Sequence, residues 1–498
     1  MRGLKAKKNI IFSLFQQFVT IICGFIAPRI IISVYGSEIN GMISSITQFL
    51  AYITFLEVGF GPVAKSLLYK AIAKKDHEEI SNILSCTQSF FRKLAFVFIL
   101  YIIILCIILP DLYIKNYNIM FTVSLIIIIS LSSFFEYFFG ITYSLYLQAE
   151  QELRVVSLIK SICKILNTLL IIFLALNKYS IQVVKLSSSL IFIISPIFLS
   201  FYVKRKYKIS ICKKSDYKIK EKFAGLSQHI AAIIHGNTDV TLLTFLSNSL
   251  EVSVYSVYML IINSIRDLIN SFIDGVAAGF GDMIARKEND SLNKNYNKFE
   301  NYYYSIITIV FACTASLIVS FIKIYTNGIN DVNYIRPCFS VIMTFAEFVY
   351  VARLPYNSLA LSAGHFKQTV KGAWIEVIIN IILSVVLINK LGMVGLAIGT
   401  LISMTYRTLD FIFYTSKEIL NRVVTIGINK FILSMIEFWI IYIVCQKCVN
   451  YNVSTFFQWG ILAVKDLLLA VLITLCINYV IYRKCNYNKS TIHRPSKK

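Results

Sequence analysis

Charge is scarce in this chain of 498 residues. Acidic residues number only 26 against 49 Lys and Arg, and charged residues together make up 15%. Soluble domains carry about 25%, so an ordinary water-facing surface is excluded. No polar segment is long enough to bury a core of its own, and no strand-like alternation points to a β-barrel. A P-loop, a Rossmann fingerprint and an HExxH motif are all missing, which leaves ATP no direct place as a driver. The first apolar run, Asn9 to Tyr35, is too long for the apolar region of a cleavable signal and lacks a small-x-small site.

What remains is apolar. Hydrophobic residues reach 57% and the mean hydropathy is +0.69. Runs of about 20 apolar residues recur from end to end, each long enough to cross a bilayer as a helix. The sequence therefore predicts an all-α polytopic membrane protein of about 14 transmembrane helices. The expected spans are 10–35, 40–69, 94–110, 120–147, 155–176, 181–203, 224–246, 252–285, 302–326, 337–363, 369–389, 394–415, 428–446 and 460–482.

The positive-inside rule tests that count. Fourteen spans place 34 loop and terminal Lys and Arg on one side and only Lys115, Lys178, Arg336, Lys390 and Lys447 on the other. A miscounted span would invert the bias downstream, so both termini are expected in the cytoplasm. The basic loops orient the chain and meet anionic lipid headgroups. Nucleic acid is not an expected partner, because the lysines are dispersed over every inner loop without a recognition module.

Two short similarities occur in the same order. GFGPVAK, Gly59 to Lys65, pairs with GFGDMIAR, Gly279 to Arg286; SLYLQAE, Ser144 to Glu150, pairs with SLALSAG, Ser358 to Gly364. The offsets are 220 and 214 residues. They imply a duplicated six-helix unit whose copies run the same way through the membrane. The expected domains are 1–210 for the first lobe, 211–425 for the second with its basic linker, and 426–498 for two additional helices and a basic tail. The lobes would be pseudo-symmetric about a central cleft.

The basic N-terminus, the segment NGMISSITQFLAYITFLEVGFGPVAKSLLYKAIAKKD (Asn40 to Asp76) and the fourteen-span layout resemble the Wzx-type polysaccharide repeat-unit flippases of the multidrug/oligosaccharidyl-lipid/polysaccharide (MOP) exporter superfamily. The resemblance implies a transporter of the bacterial cytoplasmic (inner) membrane and not an enzyme. Its substrate would be an undecaprenyl-pyrophosphate-linked oligosaccharide for O-antigen or capsule synthesis, moved from the inner to the outer leaflet by alternating access. It would need no cofactor beyond a coupling H+ or Na+, with a polysaccharide polymerase and chain-length regulator as partners. Relatives that flip the peptidoglycan precursor carry cavity arginines in spans one, two and eight, where this sequence has Arg29, Lys65 and Arg266.

Cations inside spans are costly, and a diphosphate crossing hydrocarbon needs donors that replace its water shell. Arg29 follows Pro28 about seven residues, or roughly 10 Å, from the outer end of its span. Arg266 lies near the midplane, where its neighbour Asp267 points about 100° away on a helix. Lys65 and Arg353 complete the expected substrate-binding set, the former near the cytoplasmic end and open to snorkelling. Arg407 and Asp410, three apart, read as a structural pair. Among the intramembrane acids Glu57, Asp239, Asp274, Glu347 and Glu376, coupling or gating is expected at Glu57, Asp239 and Asp274. His235 joins them because it shares a helical face with Asp239 and titrates near neutral pH. A MATE-like cation or drug antiporter is the nearest rival, since it would place carboxylates in its cavity. A membrane polysaccharide polymerase or glycosyltransferase is less favoured, because the outer loops are short.

Overall fold

The computed structural model describes the backbone of residues 2–57, 59–114, 116–207, 226–448 and 452–492. Side chains 2–7, 226, 274, 278, 448 and 481–492 lie outside the described set, as does most of the basic linker. In chain order the helices are α1 (Arg2–Tyr35), α2 (Ser37–Ala51), α3 (Phe60–Lys74), α4 (His77–Ile108), α5 (Pro110–Tyr113), α6 (Ile119–Phe135), α7 (Ile141–Ala149), α8 (Leu153–Leu176) and α9 (Ile181–Tyr207). There follow α10 (Leu226–Leu246), α11 (Ser249–Ala285), α12 (Asn289–Tyr325), α13 (Pro337–Ala352), α14 (Leu354–Ser362), α15 (Phe366–Leu391), α16 (Met393–Glu418), α17 (Val424–Cys448) and α18 (Phe456–Ile492).

No strand occurs among the described residues. Thirteen helical stretches among them are long and apolar enough to cross a membrane. The 21-residue α10 takes the place of the seventh expected span; Asn237, Thr238, Asp239, Thr241 and Thr244 lower its apolarity. The protein is thus an all-helical, multi-pass membrane protein of about fourteen spans. Two of them start earlier than hydropathy suggests, because α4 and α12 begin with amphipathic turns at His77 and Asn289. The start of α4 is set by Asp76, whose carboxylate accepts the backbone N–H of Glu79 at 2.9 Å as an N-cap.

Outward faces are apolar. On α4, Phe96, Leu100, Ile103 and Ile107 are exposed at helical spacing, and on α18 Phe457, Val464, Leu468, Leu472 and Leu475 are exposed likewise. In water such stripes would aggregate; in a bilayer they are the hydrocarbon contact.

Positive-φ residues recur along the backbone at a nearly constant interval. Left-handed residues close corresponding helices at Lys75 and Lys287, Gln151 and Gly364, and Lys178 and Gly392, separations of 212, 213 and 214 residues. Two helices are broken at a similar separation in sequence: by a π-turn over Glu136–Gly140 between α6 and α7, and at Arg353 between α13 and α14.

The chain forms two compact units, Met1–Leu260 with Gly328–Val332, and Ile261–Asn327 with Asn333–Lys498. In the first, α1 packs along α8, and α9 packs against both α6 and α8. Its core runs from Met42, Ile46 and Phe60 through Phe91 and Phe98 to Leu125. In the second, α13 and α15 pack on α16, while α17 and α18 pack on α12.

Candidate functional site

Three breaks in regular helix converge inside the first unit. After α2 the chain tightens into a 3-10 turn, Tyr52–Leu56, which ends at Glu57. Between α6 and α7 the π-turn swings Glu136 and Tyr137 inward, a feature often found at functional sites. In α9, Pro196 cannot donate to the carbonyl of Phe192. A close approach of Gly140 permits this convergence: a Cβ there would lie 2.8 Å from Pro196 Cβ and 2.6 Å from Glu136 Oε2.

The breaks border an open cavity of about 460 Å³ lined by side chains of α1, α6, α8 and α9 as well as the two turns. Its charged residues are Glu57, Glu136, Lys160 and Lys164; Gln16, Thr20, Ser132, Ser133, Tyr137 and Ser195 supply neutral polar groups. Lys160 Nζ stands 3.7 Å from Glu136 Oε1. Glu57 shares this cavity with Tyr137, Glu136 and Lys160. Lys164 lies 5.9 Å from the centre of the Phe192 ring. Ser195 is 5% exposed and its Oγ has no hydrogen-bond partner among the described residues.

Of the expected residues only Glu57 lies in this cavity. The lysines and Glu136 escaped the sequence reading although a signal existed: Lys160 and Lys164 are i, i+4 within an apolar run, so they share one helical face. Lys65, half-buried on α3, reaches Gln148 Oε1 at 3.5 Å. Arg29 is half-buried on α1, which continues through Pro28 without interruption.

In the second unit Arg266 and Arg353 belong to a different arrangement. Arg266 Nη1 lies 3.3 Å and 3.4 Å from the two carboxylate oxygens of Glu347. The Tyr350 ring is near both guanidiniums, 5.5 Å from Arg266 and 4.4 Å from Arg353. Arg353 donates to Glu376 at 2.5 Å, Arg407 approaches the other Glu376 oxygen at 3.8 Å, and Arg407 pairs with Asp410 at 2.5 Å. A counterion for Arg266 comes from α13. The Arg407–Asp410 pair forms as expected, but it ends a ladder of six charges in neutral balance.

Asp239 accepts a hydrogen bond from Tyr255 at 2.9 Å, and His235 is buried on the same helix. The side chain of Asp274 lies outside the described residues. Around Asp239 a neutral polar seam joins α2 to α10 and α11 within the first unit. Ser45 and Thr244 hydroxyls are 2.7 Å apart, Tyr52 and Thr241 2.8 Å apart. Asn40 donates to Ser253 at 2.9 Å, and Gln48 donates to Asn237.

Two basic residues expected in the cytoplasmic loops turn inward rather than toward lipid. Arg422 and Lys430 converge on Glu300 at 2.7 Å and 2.6 Å, joined by the Tyr356 hydroxyl. This cluster ties α17 to α12 and α14.

No family model and no curated protein matches the sequence. The solved structures do match. The lipid II flippase MurJ in an inward closed conformation aligns over 96% of this chain and 99% of its own length, with TM-score 0.67 and 18% identity. A multidrug resistance MATE family transporter of the MOP superfamily, inward-facing, aligns over 84% and 99%, with TM-score 0.64 and 13% identity. The MATE multidrug transporter DinF-BH aligns over 84% and 96%, with TM-score 0.56 and 14% identity. The chain has the fold of the MOP-superfamily transporters.

Proposed function

We propose that the chain is a flippase for an undecaprenyl-diphosphate-linked oligosaccharide. It carries the repeat unit from the inner to the outer leaflet of the bacterial cytoplasmic membrane by alternating access, with both termini in the cytoplasm. The observation that carries the reading is the extent of the likeness to the lipid II flippase. At 96% of this chain the alignment leaves no room to omit both α17 and α18, whereas the multidrug transporter aligns over 84%. Cations within the spans support it: Arg29, Lys65, Lys164 and Arg266 offer donors to a diphosphate. Arg353 is 10% exposed at its side chain and tied to Glu376 at 2.5 Å, so its part is structural; Arg266 is 26% exposed and more loosely paired, so it can exchange Glu347 for substrate. Anionic lipids, a polymerase and a chain-length regulator complete the proposed surroundings.

A drug antiporter is the second reading, favoured by the carboxylates Glu57 and Glu136 in the first unit's cavity. Reconstitution in vesicles separates the two. With a fluorescent undecaprenyl-diphosphate disaccharide as probe, the wild type should move the lipid to the opposite leaflet. The charge-balanced double variant Arg266→Gln/Glu347→Gln should slow that movement at least about tenfold, the loss expected when one charge-assisted hydrogen bond disappears. Uptake of a lipophilic cationic dye with no lipid movement would establish the antiporter instead.

A further inference from the structure

Helices α8 and α9 pack on one another, and each has an outward apolar face. On α8 Ile162, Leu169 and Phe173 are exposed, and on α9 Leu186, Leu190 and Ile194 are exposed. At about 100° per residue, Lys160, Lys164 and Asn167 fall on the opposite side of α8. Lys185, Ser188, Phe192 and Ser195 fall likewise on the opposite side of α9. Lys160, Lys164, Phe192 and Ser195 line the open cavity, so these are the inner faces. Three lysines on the inner faces of two membrane helices are costly unless something compensates them.

Lys160 has a counterion, the Glu136 carboxylate at 3.7 Å. Lys164 and Lys185 have no carboxylate within ion-pair distance among the described residues; Lys185 has Lys164 as a charged neighbour. Two cations in a low-dielectric interior repel one another. Beside them a hydroxyl stands unused: Ser195 is 5% exposed, and its Oγ has no hydrogen-bond partner among the described residues. Ser188, two turns away on the same face, is also buried and likewise unpartnered. Native structures seldom leave buried hydroxyls unmatched. The ammonium groups and these hydroxyls are all donors, and the missing group is an acceptor that carries negative charge.

We infer that the cavity of the first unit binds a halide-sized monovalent anion between the Lys164 ammonium and the Ser195 hydroxyl, with Lys185 drawing it in from further along α9. The geometry suits this pairing. A helical side chain leans toward the N-terminus of its own helix, and α9 runs opposite to α8. From its place beside the Phe192 ring, 5.9 Å from the ring centre, Lys164 therefore leans in the direction of Ser195. Glu57 and Glu136 share the cavity and oppose an anion, but Glu136 is turned to Lys160. With Lys185 the five charged groups sum to a single positive charge, which one monovalent anion cancels. A phosphate oxygen would find the same donors, so the chemistry is shared between a free halide and a lipid headgroup; the charge balance favours the halide. The inference goes beyond the flippase reading and does not depend on it.

Chloride titration of the full-length protein in phosphatidylcholine nanodiscs, with gluconate holding the ionic strength constant, tests the site. The wild-type melting temperature should rise with chloride as mass action requires. The chloride-35 resonance should broaden on adding protein and sharpen again when bromide displaces the bound ion. Lys164→Gln should weaken the apparent chloride affinity at least about tenfold, the loss of one charge-assisted hydrogen bond, and Ser195→Ala about fivefold, the loss of a neutral one. Arg286→Gln, which removes an exposed cation of the second unit, should leave it unchanged. A wild type that responds alike to chloride and gluconate in both measurements overturns the site, as does a Lys164→Gln protein with the full chloride response. Stabilisation by inorganic pyrophosphate without any by chloride assigns the donors to a phosphate headgroup and overturns it equally. Neither readout uses transport, so lipid movement without a chloride response sinks this inference alone.

Discussion

At the scale of single residues the buried charges of the second unit are the most exacting feature. Glu376 serves two guanidiniums at once, Arg353 and Arg407. Removing its charge leaves two buried cations facing each other, and breaking such a pair costs about 3–5 kcal/mol. Glu376→Gln should therefore lower the unfolding temperature in detergent steeply, while Arg353→Met/Glu376→Leu, which removes both charges, should cost much less. A single variant no worse than the double one would show that the ladder is not held by its charges. Glycine positions give a second contrast. A Cβ on Gly41 would sit 1.7 Å from the Ser249 carbonyl oxygen, whereas one on Gly236 meets nothing within 4 Å. Gly41→Ala should destabilise by about 1–3 kcal/mol and Gly236→Ala should be neutral or stabilise by up to about 1 kcal/mol, as thermal unfolding will show. The sequence exposes which residues are charged inside spans, because apolar context makes Arg266, Arg353 and Arg407 conspicuous. It does not expose their partners: Glu347 reaches Arg266 from 81 residues away, a pairing set by helix packing and not by spacing.

At the scale of elements, hydropathy locates membrane helices well because about 20 residues of apolar side chain leave little freedom in register. It is blind to breaks within them. The 3-10 turn before Glu57 and the π-turn at Glu136 lie inside continuous apolar runs, and these breaks create the cavity. Lys160 and Lys164 were legible as charges, but their shared destination with Glu136 was not. The junction of α7 and α8 is a different kind of element contact. Lys206 Nζ on α9 lies 2.6 Å from both oxygens of Glu152, and the Tyr202 hydroxyl donates to the same carboxylate at 3.1 Å. Burial pushes the Glu152 carboxyl up, but the hydrogen bond and charge of Lys206 and the hydroxyls of Tyr202 and Tyr207 outweigh it, so the group sits below its ordinary value. Its contribution is thus present above the ordinary carboxylate range and is lost as pH falls through the lowered value. Because the Lys206 side chain is 40% exposed, solvent screening holds the pair to about 1 kcal/mol. Glu152→Gln should show a small fall in melting temperature at neutral pH that vanishes in acid; a difference that persists at low pH would point to packing instead of charge.

At the scale of the whole molecule two divisions of the chain fall at different places. The repeat expected from the sequence would assign α10 and α11 to the second set of six helices, with α1 to α3 opening the first. Packing assigns α10 and the start of α11 to the first unit, with the boundary at Leu260. What holds them there is the seam along α2, built from Asn40, Ser45, Gln48 and Tyr52 against Ser253, Thr244, Asn237 and Thr241. Every one of these groups is neutral, and each bond can be replaced by a bond to water at little net cost, since an exchanged hydrogen bond is worth only about 1 kcal/mol. A seam of leucines would expose apolar surface on parting, and a seam of ion pairs would leave charges uncompensated. The composition suits a contact that can part and admit water, as the proposed flippase would need. Ser45 and Thr244, with hydroxyls 2.7 Å apart, are placed for a disulfide. In a background without the native cysteines, Ser45→Cys/Thr244→Cys should cross-link under oxidation, abolish lipid movement in vesicles, and recover on reduction. Full transport by the oxidised, cross-linked protein would mean that the seam stays closed throughout the cycle and that α10 belongs to the first unit in function as well as in packing.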